Sequence, residues 1–301
     1  MLDKITLEVN GEKLDGFQDA SVSRSIETLS GLFTFSTTIR ETDDRVLQNK
    51  LKVQDSVRVF VGDDLVLTGR IEDLTVSYDA GSHNIRVSGR DKTADLIDSS
   101  ILQQSYSQRD FLKLTRKVLD DNGYSDIKIT DNSNSDLTLP NINTITIKEG
   151  ESIFQFIDRY AKYLRIFVNS DNEGNLVLAT EGSRSNGGAL ISIKNGLNNN
   201  ILNASLNTIS NQRFNIIEAK AQGDNDSFGE ISVDQNGLFS DSEVVSPRRK
   251  IISIPDVNTA SDLQKIAEWE STVRRARGRR YNCKVVGYKI YFNRMLYHQH
   301  M

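Results

Sequence analysis

Residues 65–99, LVLTGRIEDLTVSYDAGSHNIRVSGRDKTADLIDS, constrain what this chain can fold into more than any other segment. Val66, Thr68, Arg70 and Glu72 alternate with Leu67, Gly69, Ile71 and Asp73, and Leu74, Val76 and Tyr78 then alternate with Thr75 and Ser77. Such period-2 alternation marks strands that bury one face. Asp79-Ala80-Gly81-Ser82 supplies turn chemistry, after which Ile85, Val87 and Gly89 resume the alternation. The segment predicts a β-meander that bends back on itself and ends in a polar, helix-starting stretch.

The residues before it extend the same pattern. Residues 1–9 alternate as a strand and Asn10-Gly11 reads as a hairpin turn. Residues 21–26 and 32–39 are strand-like, the second with Phe33, Phe35, Thr37 and Ile39 on one face; residues 41–48 form a polar link. Val57, Val59 and Val61 then run into a turn at Gly62-Asp63-Asp64. About six or seven strands thus fall within roughly the first hundred residues, enough to close a small barrel or sandwich.

The order VLTGRIEDL, SYDAGSH, IRVSGRDKT and ADLIDSS resembles the baseplate hub protein of Mu-like contractile-tailed phages and prophages, to which the hub of T4-like phages is distantly similar. The likeness is strongest over the first hundred residues and continues more weakly to about residue 288. It implies a mainly β fold, with two tube-like β-barrel domains plus a small α+β domain, and a structural role with no catalytic, cofactor-binding or metal-binding residues. It also implies a homotrimer whose six barrel units match a sixfold tail tube on one side and a threefold central spike protein on the other. Tail tube or tube-initiator proteins and the tape-measure protein are the further partners implied, with DNA passing only in transit. The place implied is the virion's tail baseplate, after synthesis in the bacterial host cytoplasm.

Beyond residue 99 the composition changes. Ser107-Gln108-Arg109-Asp110 has the form of a capping box, and Phe111, Leu114, Val118 and Leu119 share one face of a helix that stops near Asn122-Gly123. A second helix is expected from Ser152, with Ile153, Phe154, Phe156, Ile157, Tyr160, Ala161 and Leu164 as a broad apolar face. Strands are expected at 127–129, 144–147, 165–168 and 175–179, the last two joined by Asp171-Asn172-Glu173-Gly174. The polar stretch EGSRSNGG at 181–188 marks a boundary, followed by strands at 190–193, 201–209 and 215–221. Residues 224–260 read as a polar excursion, 262–277 as a helix with Leu263, Ile266 and Trp269 or Glu270 on one stripe, and 281–286 as a returning strand. The expected organisation is a first β-barrel domain at 1–100, an α+β domain at 101–182, and a second β-barrel domain at 183–301 that contains the excursion.

Length and charge bound the possibilities. A chain of 301 residues exceeds one ordinary core and suggests two or three domains. The net charge of −4 predicts no general attraction to nucleic acid or anionic membrane. The single cysteine, Cys283, forms no intrachain disulfide, so packing and assembly must stabilise the fold. No run reaches the roughly 18 apolar residues of a membrane span, and the N-terminal MLDKITLEVNGEKL lacks the apolar core of a signal peptide.

Each chemistry-bearing candidate has a plainer alternative. The histidines, His83, His298 and His300, fall in an expected hairpin turn and the terminal tail, poor places for a triad imidazole. Acidic groups at Asp43-Asp44, Asp120-Asp121, Asp171 with Glu173, and Asp224 with Asp226 read as solvated turns, because DNDSFGE lacks EF-hand spacing. Two carboxylates alone do not argue for a glycosidase. Arg274, Arg275, Arg277, Arg279 and Arg280 form the densest basic run. Such cations are favoured at a helix C-terminus, here ended by Gly278, and they also suit a DNA channel or an acidic neighbouring subunit. Residues 146–153, TIKEGESI, followed by an amphipathic helix, resemble the opening of peptidoglycan-binding LysM modules, which keeps a glycan-binding or cell-wall-degrading tail protein as the alternative. Family members continue with another strand pair where IYFNRMLYHQHM loses the likeness, so an incompletely closed second barrel with an exposed sheet edge is expected.

Overall fold

The computed structural model describes residues 4–14, 17–39, 50–78, 83–102, 106–139, 145, 147–180, 201–222, 236–255 and 260–285. They fold around three hydrophobic cores, and the fold is mostly β.

The first core lies against one antiparallel sheet that curls into a half-barrel. Its strands are β1 (Ile5–Val9), β2 (Glu12–Leu14), β3 (Asp19–Ser23), β4 (Leu32–Ile39), β5 (Ser56–Val61), β6 (Asp64–Tyr78) and β7 (His83–Asp91), in the order β2-β1-β5-β6-β7-β4-β3. Asn10 and Gly11 take φ of 50° and 86°, the left-handed pair that a two-residue hairpin between β1 and β2 requires. Along β6 the buried positions switch from Leu67, Gly69 and Ile71 to the partly buried Leu74 and Val76. A bulge between Ile71 and Asp73 in the pairing with β7 causes the switch: one extra residue reverses the face on which every later side chain lies. Beside this bulge the paired backbones of β6 and β7 leave no room for a side chain at either glycine. A Cβ on Gly89 would stand 2.0 Å from the Arg70 carbonyl oxygen and 2.8 Å from the Phe33 ring, and one on Gly69 would stand 2.0 Å from the Arg90 carbonyl oxygen.

Two local expectations change here. β3 ends at Ser23, so Arg24 and Ile26 belong to an irregular segment rather than to a strand. His83 opens β7 instead of sitting in the turn; it is buried and stacks on Tyr78 at 3.9 Å between ring centroids. The turn residues 79–82 and the link at 41–48 lie outside the described residues.

The second core is α+β. It comprises α1 (Ala94–Asp98), α2 (Phe111–Asp121), β8 (Ile129–Asp131), α3 (Ile153–Tyr163), β9 (Ile166–Ser170) and β10 (Leu176–Thr180). β10 is central, parallel to β8 and antiparallel to β9. The cap of α2 is Asp110, whose side chain accepts from the Lys113 amide. Ser107 is not the cap, and with Lys113 at the third helical position no box forms. At α3 the box is complete, with Ser152 accepting from the Gln155 amide and Gln155 accepting from the Ser152 amide. Phe111, Leu114, Val118 and Leu119 from α2 meet Ile153, Phe156, Ile157 and Tyr160 from α3 in this core. Ile145, from the strand expected at 144–147, makes an isolated bridge to Tyr106, while 144 and 146 are outside the described residues.

The third core packs α4 (Ala260–Arg277) on a sheet ordered β13-β12-β14, built from β12 (Ile216–Gln222), β13 (Asn236–Ser240) and β14 (Arg249–Pro255). Two of these strands lie within 224–260, which therefore supplies sheet rather than a polar excursion. In β14, Ile252 and Ile254 pack against the core while Ile251 is exposed, a half-buried pattern that is faint in a polar context. β11 (Ile201–Thr208) and β15 (Arg279–Val285) pair antiparallel as a separate ribbon. The linker at 181–188, the strand expected at 190–193, Asp224, Asp226, His298, His300 and the whole of 286–301 are outside the described residues, so the expected open barrel edge is not described either.

The first two cores are locked together at one point. Leu29, from the segment between β3 and β4, is buried in the second core rather than its own. Beside it the Asp91 carboxylate, only 3% exposed, accepts from the Gly31 amide (2.8 Å), the Ser30 hydroxyl (3.0 Å), the Thr93 amide (3.0 Å) and the Ser170 hydroxyl (2.8 Å). A buried carboxylate persists when its oxygens are saturated by donors. Arg24 reaches across to Ser170 and Asn172 on the far side of the same joint.

Two substitutions test this architecture. Gly89→Ala forces the β6–β7 pair apart and is expected to cost about 3 kcal/mol in urea unfolding. Asp91→Asn turns an amide N–H₂ toward groups that donate, and about 2 kcal/mol of stability should be lost, with faster proteolysis between the first two cores.

Candidate functional site at the junction of three cores

The basic run begins at the last turn of α4 and continues into β15, and the fold sends its members in different directions. Arg274 binds Glu270 (2.7 Å), donates to the Gln212 carbonyl and lies over the Phe214 ring. Arg275 stands 3.4 Å from the buried Asp241 carboxylate. Arg277 reaches Glu27, in the segment between β3 and β4, at 2.9 Å. Arg279 and Arg280 are exposed and have no acidic partner among the described residues. Three of the five arginines are thus neutralised within the chain, and the helix macrodipole favours them where they stand.

The Arg277–Glu27 pair closes one side of a cleft of about 400 Å³ where the three cores meet. Ile26 and Glu27 come from the segment between β3 and β4, Phe154, Asp158 and Lys162 from α3, Phe167 from β9, and Trp269, Val273, Ala276 and Arg277 from α4, with Arg280 at the rim. Phe167 and Trp269 touch as tilted rings with centroids 5.7 Å apart. Asp158 and Lys162 pair with each other at 2.6 Å, one helical turn apart. The Trp269 Nε1–H is shielded from solvent with no acceptor among the described residues, an unmade bond that costs about 1–3 kcal/mol. Glu27 carries no periodic signal and Ile26 reads only as the end of the strand expected at 21–26, so sequence reasoning placed neither here; the spacing of Leu263, Ile266 and Trp269 was the one clue to this wall.

A second exposed feature is the β11–β15 ribbon. Leu202, at a bulge in the pairing with β15, and Leu206 are 61% and 63% exposed on β11. Two-stranded sheets are marginal in water without a covering surface.

The other chemical candidates are absorbed structurally. Glu151, in the LysM-like segment, is buried and held by the Arg159 guanidinium through two hydrogen bonds (2.9 and 2.8 Å). Ser152 of the same segment caps α3. Asp120 and Asp121 pair with Arg116 and Lys117. The Asp171 carboxylate accepts from the Glu173 and Asn175 amides within its own turn. Among the described residues no three His, Cys, Asp or Glu side chains gather as a metal site, and no helix is long and apolar enough to cross a membrane.

Three carboxylates around the third core are shifted by their partners. Burial pushes the Asp241 carboxyl up, but hydrogen bonds from Arg213 and the Glu243 amide, with the charges of Arg213 and Arg275, outweigh it and hold the group below the usual carboxylate range. The Arg213 hydrogen bond likewise lowers Glu243, and at Glu218 the bonds from Asn236 and Lys220 overcome burial. All three are depressed in the folded state. Their stabilisation is therefore complete above the unfolded carboxylate value of about 4 and is lost as pH falls through the lower folded values. Acidification below about pH 4 is expected to shift the urea midpoint reported by Trp269 fluorescence downward, and Asp241→Asn should flatten that dependence.

Comparison with known proteins now places this architecture. Residues 4–91 match the family described as Mu phage baseplate assembly protein GpP-like, N-terminal, and residues 93–180 match the second domain of baseplate hub protein gp44-like. The chain is 25% identical over 297 residues to baseplate hub protein gp44 of Escherichia phage Mu, covering 96% of this chain and 75% of that protein. The crystal structure of the prophage MuSo2 43 kDa tail protein from Shewanella oneidensis is similar with a TM-score of 0.78 at 28% identity, over 95% of this chain and 83% of that one. A tail protein from Neisseria meningitidis MC58 shares the fold with a TM-score of 0.76 at 17% identity, over 93% and 79% of the two chains. With two adjoining hub domains matched in order and the likeness extending along nearly the whole sequence, the chain belongs to the Mu-like phage baseplate hub family, whose members are structural proteins and not enzymes.

Proposed function

We propose that the protein joins the sixfold tail tube to the threefold central spike as a homotrimer and lines the path that DNA takes on ejection. Its three cores then correspond to a first barrel domain at 1–100, an α+β domain at 101–182 and a second barrel domain at 183–301. The observation that carries the trimeric reading is the β11–β15 ribbon, which presents Leu202 and Leu206 to solvent in the isolated chain. A neighbouring subunit laid on this ribbon would remove apolar surface from water and brace a two-stranded sheet that is marginal alone.

The arginines divide accordingly. Arg274, Arg275 and Arg277 fix α4 against the rest of the chain, and Arg279 and Arg280 are left to face an acidic neighbour or phosphates in the channel. The spike, the tube or its initiator proteins and the tape-measure protein are the partners of such a hub, its place is the tail baseplate of the virion, and assembly precedes release from the host cytoplasm.

Light scattering coupled to size exclusion tests the assembly. A mass of about three times 33.8 kDa is expected for the full chain across concentration. Leu202→Lys with Leu206→Lys should yield a folded monomer. A wild-type chain that stays monomeric at every concentration overturns the trimeric reading.

A further inference from the structure

We propose that the cleft between the segment 26–29, α3 with β9, and α4 is a binding site for a short acidic peptide segment, supplied by another protein, that inserts one aromatic side chain. The cleft shares Arg280 with β15 of the ribbon, but its apolar wall comes from α3, β9 and α4, so the proposal goes beyond the assembly reading. At about 400 Å³ the cleft sits near the lower end of the range of small-ligand pockets, a size for one large side chain and its flanking backbone. Its apolar wall is Phe154, Phe167, Val273 and the indole of Trp269, and Ala276 leaves room at the mouth. The tilted Phe167–Trp269 pair offers ring edges and faces to a third aromatic ring. No part of the described chain closes the opening: Ile26 stands 69% exposed at its edge.

Charge chooses the occupant's chemistry. Glu27 is taken by Arg277 and Asp158 by Lys162, which leaves Arg280 as the rim cation without a carboxylate among the described residues. A carboxylate beside the inserted ring would meet this guanidinium in forked hydrogen bonds, whereas a basic peptide would bring like charge against it.

Trp269 is the chain's only tryptophan, so its emission reports the cleft directly. The probe is the acetylated, amidated tripeptide Asp-Phe-Asp, titrated against the full chain, with Asp-Ala-Asp and Lys-Phe-Lys as controls. A saturable change in Trp269 emission is expected with Asp-Phe-Asp, roughly tenfold tighter than with either control. Ala276→Leu, at an exposed helical position, should fill the mouth and weaken binding by about tenfold, and Arg280→Glu should reverse the preference between the acidic and basic peptides. Both variants should keep the wild-type thermal unfolding midpoint. Three results overturn the proposal: no response of Trp269 to Asp-Phe-Asp, equal affinity in the Ala276→Leu variant, or peptide-driven dissociation of the oligomer, which would make a second copy of this chain the occupant. The first two leave the measured mass of the assembly untouched, so failure here is distinguishable from failure of the trimeric reading.

Discussion

The buried carboxylate of Asp91 is the constraint on which the arrangement of this chain depends. It terminates β7, and its oxygens are held by groups from the β3–β4 segment, from the start of α1 and from the end of β9. An anion at this depth is tolerated only while those donors are in place, so the sheet, the helix start and the second core are specified together. Leu29 adds an apolar plug at the same joint by burying itself among side chains of the second core. Polar saturation fixes the geometry and hydrophobic burial supplies the driving force, at a spot small enough that slight loosening would let the two cores swing.

Strength at this joint has a consequence for the rest of the molecule. With the segment 24–31 pinned by Asp91 and by Arg24 on Ser170, Glu27 is presented where Arg277 can reach it, and α4 is drawn toward the first two cores. The arginine run is thereby divided between anchoring and exposure. A surface ion pair such as Arg277–Glu27 contributes little by itself, about 0.2–1 kcal/mol, so its role is alignment more than stability. In a structural hub the position of each surface matters more than any reactive group.

Much of the local structure was legible. The β6–β7 meander, the Asn10-Gly11 hairpin, the cap at Ser152 and the apolar face of α2 all follow from residues within a few positions of one another. The switch of buried face along β6 was written in the order Leu67, Ile71, Leu74, Val76, although its cause, a bulge, needed the partner strand. Less legible were β13 and β14, whose few apolar residues are half-buried in a polar stretch and whose pairing with β12 supplies what periodicity does not. Asp110 displaced Ser107 as a cap because its side chain lies in reach of the Lys113 amide, a choice between two good candidates that backbone geometry decides.

The sequence by itself determined the strand alternation, the turn chemistry, the helix faces and the resemblance to a hub, because each is encoded in neighbours two to four residues apart or in a run of identities. Only the tertiary structure decided which arginine meets which carboxylate, that Leu29 serves a core other than its own, and that Ile26, Phe167 and Trp269 line one cleft. Gly31 and Asp91 are 60 residues apart, Asp91 and Ser170 are 79 apart, and Glu27 and Arg277 are 250 apart. Contacts over such separations leave no periodic trace, since any exposed carboxylate and any arginine are chemically suited to one another until packing brings one pair within reach.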